Sequence, residues 1–425
     1  MSDRTFRPYE PDQMLLLPPS LREWLPPGHL AYFVLDVVDS LDLKQIVSGY
    51  GGPTRGNAPY DPRMMVAVLI YAYCMGVVSS RRIARKLEED VAFRVLSANG
   101  RPDFRTISDF RKAHLEALKG LFVQVLLLCR QAGLVKLGQV SIDGTKMKAN
   151  ASKHKAMSYD RMQREEARLT VEVEALLKQA RQTDEREDEE LGRERRGDEL
   201  PEELAFRESR LKKIQEAKAA LEREAREAAE AKRKEIEGRS VQGKPRGPKP
   251  SVPEGIPDPK AQRNFTDPES RILPSASEKG SFLQGYNCQA AVDGFAQVIV
   301  GADVTQQTND KKQALPMLKQ VGLNTGKIPK RASLDAGYFS EANIKAIGQL
   351  GCEPLIPPGR QEHGKNLPSA PRGRIPKSLS VADRMRRKLS TKRGRALYSK
   401  RKEVVEPVFG QIKQGRGFRQ FLLRG

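Results

Sequence analysis

Cysteine is scarce and scattered in this sequence. The chain has only 4 cysteines in 425 residues, Cys74, Cys129, Cys288 and Cys352, and no two of them form a C-x-x-C pair. Disulfide frameworks and structural zinc sites require cysteines at short, regular spacings. The spacing therefore excludes a small disulfide-linked secreted protein and a zinc ribbon, and it predicts reduced thiols in a cytosolic protein.

Long apolar runs are lacking as well. The longest, at residues 64–78 and 121–129, are too short or too interrupted for the roughly 20 apolar residues that cross a bilayer. The first residues are not followed by the apolar stretch of a signal peptide. We therefore expect a cytoplasmic protein without a membrane partner.

Acidic residues are too few to balance the basic ones. The chain has 75 Lys and Arg against 54 Asp and Glu, which gives a formal charge of +21 and a pI of about 9.8. Such a surplus favours a polyanionic partner, most often nucleic acid. A cationic membrane binder is the alternative, but no basic amphipathic helix with a bulky apolar face stands out.

The first domain, residues 1–137, is predicted to be helical. Helices begin at Asp61-Pro62, where a cap precedes proline, near Ser80, and at about Thr106. Two short helices with basic faces are typical of a helix-turn-helix-like DNA reader, although a helical bundle with ordinary solvated charges fits the same pattern. The candidate DNA contacts are the basic residues of these two helices, Arg81, Arg82, Arg85, Lys86, Arg111 and Lys112.

A strongly charged segment occupies the middle of the chain. Leu204, Leu211, Ile214 and Leu221 fall close to a heptad spacing, so residues 158–240 predict a long helical hairpin of coiled-coil type. We interpret it as an arm or a dimer contact. Residues 241–279 are rich in Pro, Gly and basic residues, which predicts a linker.

Residues 138–157 and 280–425 together predict an α/β domain with a mixed sheet. Val140 and Ile142 alternate with polar residues in a strand expected to stop at Asp143, before Gly144. Further strands are predicted at residues 282–293 and 296–305, at 332–335 and near 353. By itself, an Asp-Gly pair after a strand is more often a turn than a site.

Three acids distinguish this domain: Asp143, Asp335 and Glu406. Two aspartates at neighbouring strand ends and a glutamate from the last helix can share two divalent cations. Oxygen ligands of this kind select Mg²⁺ or Mn²⁺. Because Val405 and Val408 keep the last helix packed, we expect Glu406 to lie between apolar positions rather than on an open face, where a cation would offset its burial.

The motifs resemble a family. The chain is similar to bacterial DDE insertion-sequence transposases that combine a helical N-terminal domain with a ribonuclease H-like catalytic domain. The resemblance rests on seven short motifs in a fixed order: Tyr60-Asp-Pro-Arg-Met-Met, Ser79-Ser-Arg, Asp103-Phe-Arg-Thr-Ile-Ser-Asp-Phe-Arg111, Asp143-Gly-Thr-Lys, Gly285-Tyr-Asn-Cys-Gln, Asp335-Ala-Gly-Tyr and Val405-Glu-Pro-Val-Phe-Gly.

The resemblance implies roles for individual residues. Asp143, Asp335 and Glu406 would be the catalytic acids and the ligands of two Mg²⁺ or Mn²⁺ ions. On the last helix, the DNA contacts would be Tyr398, Lys413 and, for the arginine position, either Arg401 or Lys402.

The resemblance also implies partners. The helical domain would bind the terminal inverted repeats of the mobile element, and the catalytic domain would cleave its ends and join them to target DNA. Two ends imply a homodimer, working on the nucleoid.

Two alternatives remain open. One is a metal-dependent nuclease that does not join strands. The other is an inactive or truncated copy acting only as a DNA-binding protein, because relatives usually continue with a further helical stretch beyond Phe421-Leu-Leu-Arg-Gly. A purely structural coiled-coil protein is disfavoured by the strands that end in acids.

Overall fold

The computed structural model describes residues 20–50, 58–191, 202–240, 254–275, 280–359, 370–376 and 378–422. Residues 192–201, in the middle of the predicted hairpin, lie outside the described residues, and so does the first part of the expected linker. No helix of the described residues is both long and apolar enough to cross a membrane.

The N-terminal part is helical, as the sequence predicts. Its helices are α1 (Leu30–Asp39), α2 (Lys44–Val47), α3 (Pro62–Cys74), α4 (Ser80–Glu89), α5 (Val91–Leu96), α6 (Phe104–Ala113) and α7 (Leu115–Gln131).

Helix starts in this part follow the capping residues. The Asp61 carboxylate accepts a hydrogen bond from the Arg63 amide, and Pro62 takes the first helical position, which confirms the predicted start of α3. Asp103 caps α6 in the same way, so this helix begins two residues before the expected Thr106.

Helix α7 connects the helical part to the sheet. Leu121 lies in the core of the helical part, whereas Leu126, further along the same helix, lies in the core beneath the sheet. The guanidinium of Arg130 then donates a hydrogen bond of 2.6 Å to the carbonyl of Thr325. These contacts anchor the helical part on the sheet.

The strands are β1 (Val140–Lys148), β2 (Ala156–Ser158), β3 (Gln262–Asn264), β4 (Arg271–Pro274), β5 (Phe282–Asp293), β6 (Ile299–Thr305), β7 (Arg331–Leu334) and β8 (Glu353–Leu355). The main sheet has the order β4-β5-β1-β7-β8, and β6 also pairs with β5. Strands β1, β4 and β6 run antiparallel to β5, whereas β1, β7 and β8 run parallel to one another. The predicted mixed α/β architecture is therefore present.

Two strands lie within residues 241–279, which we interpreted as a linker. Strand β3 pairs with β2, and β4 pairs with β5 and so belongs to the main sheet. The interpretation as a linker was wrong there. These strands are short and carry charged residues, so the alternation that marks a strand in the sequence is missing.

Besides α7, the sheet is covered by α10 (Ala314–Thr325), α11 (Glu341–Gln349), α12 (Val381–Ser390) and α13 (Lys392–Gly410). Helix α13 lies on one face, where Val404, Val405 and Val408 pack against Ala290 and Val292 of β5. A turn of π-helix, Gln411–Gly415, continues α13.

Two long helices, α8 (Tyr159–Leu191) and α9 (Glu202–Ser240), lie side by side as the predicted hairpin requires, and we call them the arm. They run antiparallel, because Tyr159 hydrogen-bonds Glu222 near one end and Glu172 pairs with Arg207 towards the other. Lys218, which interrupts the apolar spacing, donates to Glu166 at 2.7 Å.

Candidate active site

Asp143 lies where two parallel strands separate. The sequence predicts that strand β1 stops at this residue, and this prediction was wrong. The strand continues to Lys148 because β5 pairs with its whole length. Strand β7 pairs with β1 only as far as Ile142 opposite Leu334. Asp143 and Asp335 are the next residues on the two strands, so both acids reach the same edge of the sheet.

Asp335 is held by the turn that follows β7. Its carboxylate accepts a hydrogen bond of 2.8 Å from the Gly337 amide and so caps a short 3₁₀ helix, Ala336–Tyr338. The Tyr338 side chain at the end of this turn is fully buried and donates its hydroxyl hydrogen bond to Gln289 of β5. The turn therefore fixes Asp335 against the centre of the sheet.

Arg401 of α13 forms an ion pair with Asp143. Its Nη1 donates a hydrogen bond of 2.8 Å to Asp143 Oδ2, and the arginine is only 8% exposed. Burial raises the pKa of the Asp143 carboxyl, the Arg401 guanidinium opposes that rise, and the nearby Asp335 adds to it. Of the two predicted candidates for the arginine position, Arg401 points into the site, whereas Lys402 is exposed.

Tyr398 and Lys413 flank this pair on the same helix and its extension. The Tyr398 ring lies 5.9 Å from the Arg401 guanidinium, and burial raises the pKa of its hydroxyl. Lys413 Nζ donates to Thr145 Oγ1 and to the Lys146 carbonyl, and burial lowers its pKa. Lys413 thus contacts β1 two residues beyond Asp143.

Glu406 does not lie where the sequence predicts. We expected it between apolar positions, but its side chain is exposed, and the buried side of α13 is formed by Val404, Val405 and Val408. Successive helical residues turn by about 100°, so Glu406 lies about 200° around the helix from both Val404 and Val408, on the side away from the core.

The described residues do not bring Glu406 to the two aspartates. They contain no group of three or more His, Cys, Asp or Glu side chains that could hold a metal ion. The roles of the three acids as metal ligands therefore stay predictions.

A further aspartate, Asp310, borders the site and was missed by the sequence reasoning. Its Oδ1 accepts hydrogen bonds from the side-chain amides of Asn287 at 2.7 Å and Gln289 at 2.8 Å. A Cβ atom on Gly144 would lie only 2.8 Å from the same oxygen, so Gly144 is needed for this close approach. In the sequence, Asn309-Asp310 predicts only a helix cap, and Asn309 does serve as that cap.

The predicted DNA contacts of the helical part differ in their surroundings. Three of the basic residues pair with nearby acids: Arg85 with Glu89 and Lys112 with Asp109 on the same helix, and Lys86 with Asp90 at the junction of α4 and α5. Arg81 stacks on the Phe104 ring at 5.0 Å, and Arg82 is exposed.

Arg111 is directed inward. Its guanidinium donates to the Tyr73 hydroxyl at 3.2 Å, to the Val78 carbonyl at 2.9 Å and to Ser80 Oγ. These bonds tie α6 to the turn before α4. The Nη1 and Nη2 groups of Arg111 are thus engaged within the helical part.

Comparison with known proteins identifies two regions. A transposase domain (DUF772) matches residues 19–113, and a transposase DDE domain matches residues 256–425. The second range includes Asp335 and Glu406, whereas Asp143 lies between the two ranges. No curated protein and no solved structure matches the chain. With a transposase domain followed by a transposase DDE domain, the chain belongs to the DDE transposases of insertion sequences.

Proposed function

We propose that this transposase cleaves DNA at the ends of its element and joins the free 3′ ends to target DNA, in a catalytic domain of the ribonuclease H type. The observation that carries the proposal is the pair of aspartates, Asp143 and Asp335, where β1 and β7 separate at the centre of a mixed sheet. Acids in this position can present their oxygens to a phosphodiester from one edge of the sheet.

The chemistry of the donors fits divalent cations. The acids at this edge, Asp143, Asp335 and Asp310, offer carboxylate oxygens, and such hard donors suit Mg²⁺ or Mn²⁺. Burial and the negative charge of Asp335 already oppose ionisation of Asp143, and bound cations would offset both. Two such ions would supply Lewis-acid stabilisation of the attacking and leaving oxygens.

Glu406 would complete the site from α13. Arg401 and Lys413, on either side of it along the helix and its extension, contact Asp143 and Thr145 of β1. Glu406 therefore belongs to the segment of α13 and its extension that lies against β1, the strand with Asp143. Its exposed carboxylate is free to meet a cation that the DNA brings with it.

The basic residues give the DNA-binding part of the proposal. The helical part would bind the terminal inverted repeats through Arg81, Arg82, Arg85 and Lys86, and near the catalytic acids Tyr398, Lys402 and Lys413 would approach the DNA backbone. The charge of +21 supports a polyanionic partner. Joining two element ends requires two catalytic sites, hence a homodimer acting on the nucleoid in the cytoplasm.

The test uses labelled duplexes from the DNA that flanks the reading frame, with Mg²⁺ and a target plasmid. Asp143→Asn, Asp335→Asn and Glu406→Gln proteins should bind the end duplex but neither nick it nor join it to the plasmid. Asp303→Asn and Glu341→Gln, at exposed positions of the same domain, are matched controls that should retain both reactions. Full cleavage by any of the first three variants would remove that residue from the catalytic set.

A second candidate function is DNA binding without catalysis. It is favoured by one observation, that Glu406 is exposed and is not grouped with the aspartate pair in the described residues. The wild-type protein would then bind the end duplex equally well with Mg²⁺ or with EDTA and would cut nothing. A nuclease without joining activity is separated by supplying a pre-cleaved end together with the plasmid.

A further inference from the structure

A basic cleft lies beside the aspartate pair. It has a volume of about 640 Å³ and lies between β3, β4 and the loop that follows β6. Its basic side chains are Lys260, Arg271, Lys311 and Lys312, and amide side chains such as Gln262 and Gln307 line the remainder. No carboxylate belongs to the described lining.

The lysines of the cleft are available to a ligand. Lys260, Lys311 and Lys312 are exposed, and within the described ranges of the chain none of them makes an ion pair. Arg271 differs, because its guanidinium pairs with Glu224 at 3.1 Å and donates to the Pro268 carbonyl at 2.7 Å. Arg271 thus shapes the wall, and the three lysines carry the available charge.

The cleft is connected to the candidate active site. Lys311 and Lys312 belong to the 3₁₀ helix Asp310–Lys312, which begins with the aspartate that touches Gly144. The Asn287 amide donates both to the Gln307 carbonyl of the cleft, at 3.1 Å, and to Asp310, at 2.7 Å. One hydrogen-bonded unit therefore holds the cleft loop against β5, which pairs with β1, the strand that bears Asp143.

We propose that this cleft binds the sugar-phosphate backbone of a DNA strand next to the phosphate that is cut. Ammonium groups and side-chain amides are the donors that proteins direct at phosphate oxygens, and they bind without regard to base sequence. The proposal rests on the proposed function of the site. It adds that β3 and β4, directly after the arm, contact the substrate and set its path to Asp143.

The first experiment measures DNA binding with EDTA present, so that no cleavage is needed. The variant replaces all three lysines, Lys260→Ala, Lys311→Ala and Lys312→Ala. The control removes the same charge from exposed lysines elsewhere in the domain, Lys319→Ala, Lys327→Ala and Lys330→Ala. The probe is a fluorescein-labelled 30-base-pair duplex, titrated between 50 and 300 mM salt.

The cleft variant should bind about tenfold or more weakly than the wild type at 100 mM salt, and the slope of log K against log salt should become shallower by about 0.9 for each phosphate that the variant no longer neutralises. The control should keep the wild-type slope. Equal affinity and slope for the cleft variant and the wild type would overturn the proposal. So would an equal loss of affinity in the control, because binding would then follow net charge alone.

A second variant, Lys312→Glu, places a negative charge in the cleft, and its loss of affinity should exceed that of Lys312→Ala.

Failure of the cleft proposal can be distinguished from failure of the catalytic proposal. If wild-type protein never cleaves but the cleft variants bind DNA more weakly, the cleft is confirmed and the catalysis is not. If the wild-type protein cleaves DNA, and the cleft variants bind and cleave as the wild type does, the cleft proposal is refuted and the catalytic proposal stands.

Discussion

The guanidinium of Arg401 and the carboxylate of Asp143 meet across 2.8 Å although 258 positions separate them in the chain. The contact joins the last helix to the central strand. Asp143 is about four-fifths shielded from solvent and Arg401 about nine-tenths, so each compensates for the burial of the other.

Arg401→Gln should destabilise the protein by roughly 1–3 kcal/mol, because it leaves the Asp143 carboxylate partly buried without its cationic partner. The measurement is urea unfolding at pH 7. The adjacent and exposed Lys402→Gln is the control, and its effect should stay within about 0.5 kcal/mol. Equal effects of the two changes would show that the Arg401 contact contributes nothing to stability.

With EDTA present, the stability of the protein relative to Asp143→Asn should fall as the pH rises above 3.8, the ordinary pKa of an aspartate carboxyl. The pKa of Asp143 is raised by burial, so its carboxyl favours the folded state below the ordinary value of 3.8, and that contribution is lost as the pH rises through the folded pKa. Each unit of pKa corresponds to about 1.4 kcal/mol. Urea unfolding of both proteins across this range gives the difference, and an increase with pH would contradict the raised pKa.

Glu406→Gln should separate stability from catalysis. Glu406 is exposed, so the free energy of unfolding should change by less than about 0.5 kcal/mol. Strand cleavage should fall by more than about 100-fold, since even the outer partners of metal ligands contribute about 10–100-fold. Glu403→Gln, exposed on the same helix, should leave both quantities unchanged. Cleavage by Glu406→Gln at the wild-type rate would exclude Glu406 as a ligand.

Two arginines of the helical part should respond differently to removal. Arg111→Ala removes three internal hydrogen bonds and should lower the free energy of unfolding by roughly 1–3 kcal/mol. Arg82→Ala should change it by less than about 0.5 kcal/mol, but should weaken binding of the end duplex and reduce the salt slope by about 0.9. If Arg82→Ala left DNA binding intact, α4 would not be a phosphate-contacting helix.

Local patterns in the sequence were sufficient to predict most of the helices and strands. The alternation of residues 282–293 predicts β5 with its observed bounds, and the Asp61-Pro62 pair predicts the start of α3. The heptad-like spacing around Ile214 predicts the arm helices. Such features depend on side-chain periodicity and capping, which involve residues only a few positions apart.

The geometry of the candidate site could not be predicted in this way, because it depends on contacts between residues that are distant in the sequence. Strand β1 continues past Asp143 because β5 pairs with it, and β4 forms on the other edge of β5 although its own residues carry no strand pattern. Asp310 reaches Gly144 only because two amides of β5 hold it there.

Short motifs single out the three acids as candidates, but they do not predict the surroundings of those acids. Spacing on α13 leaves Arg401 and Lys402 as equal candidates, and it suggested a shielded Glu406. The docking of α13 on β5 through its valines turns Arg401 towards Asp143 and Glu406 towards solvent. A helix sequence specifies which residues share a face, and the direction of that face is set when the helix packs against the sheet.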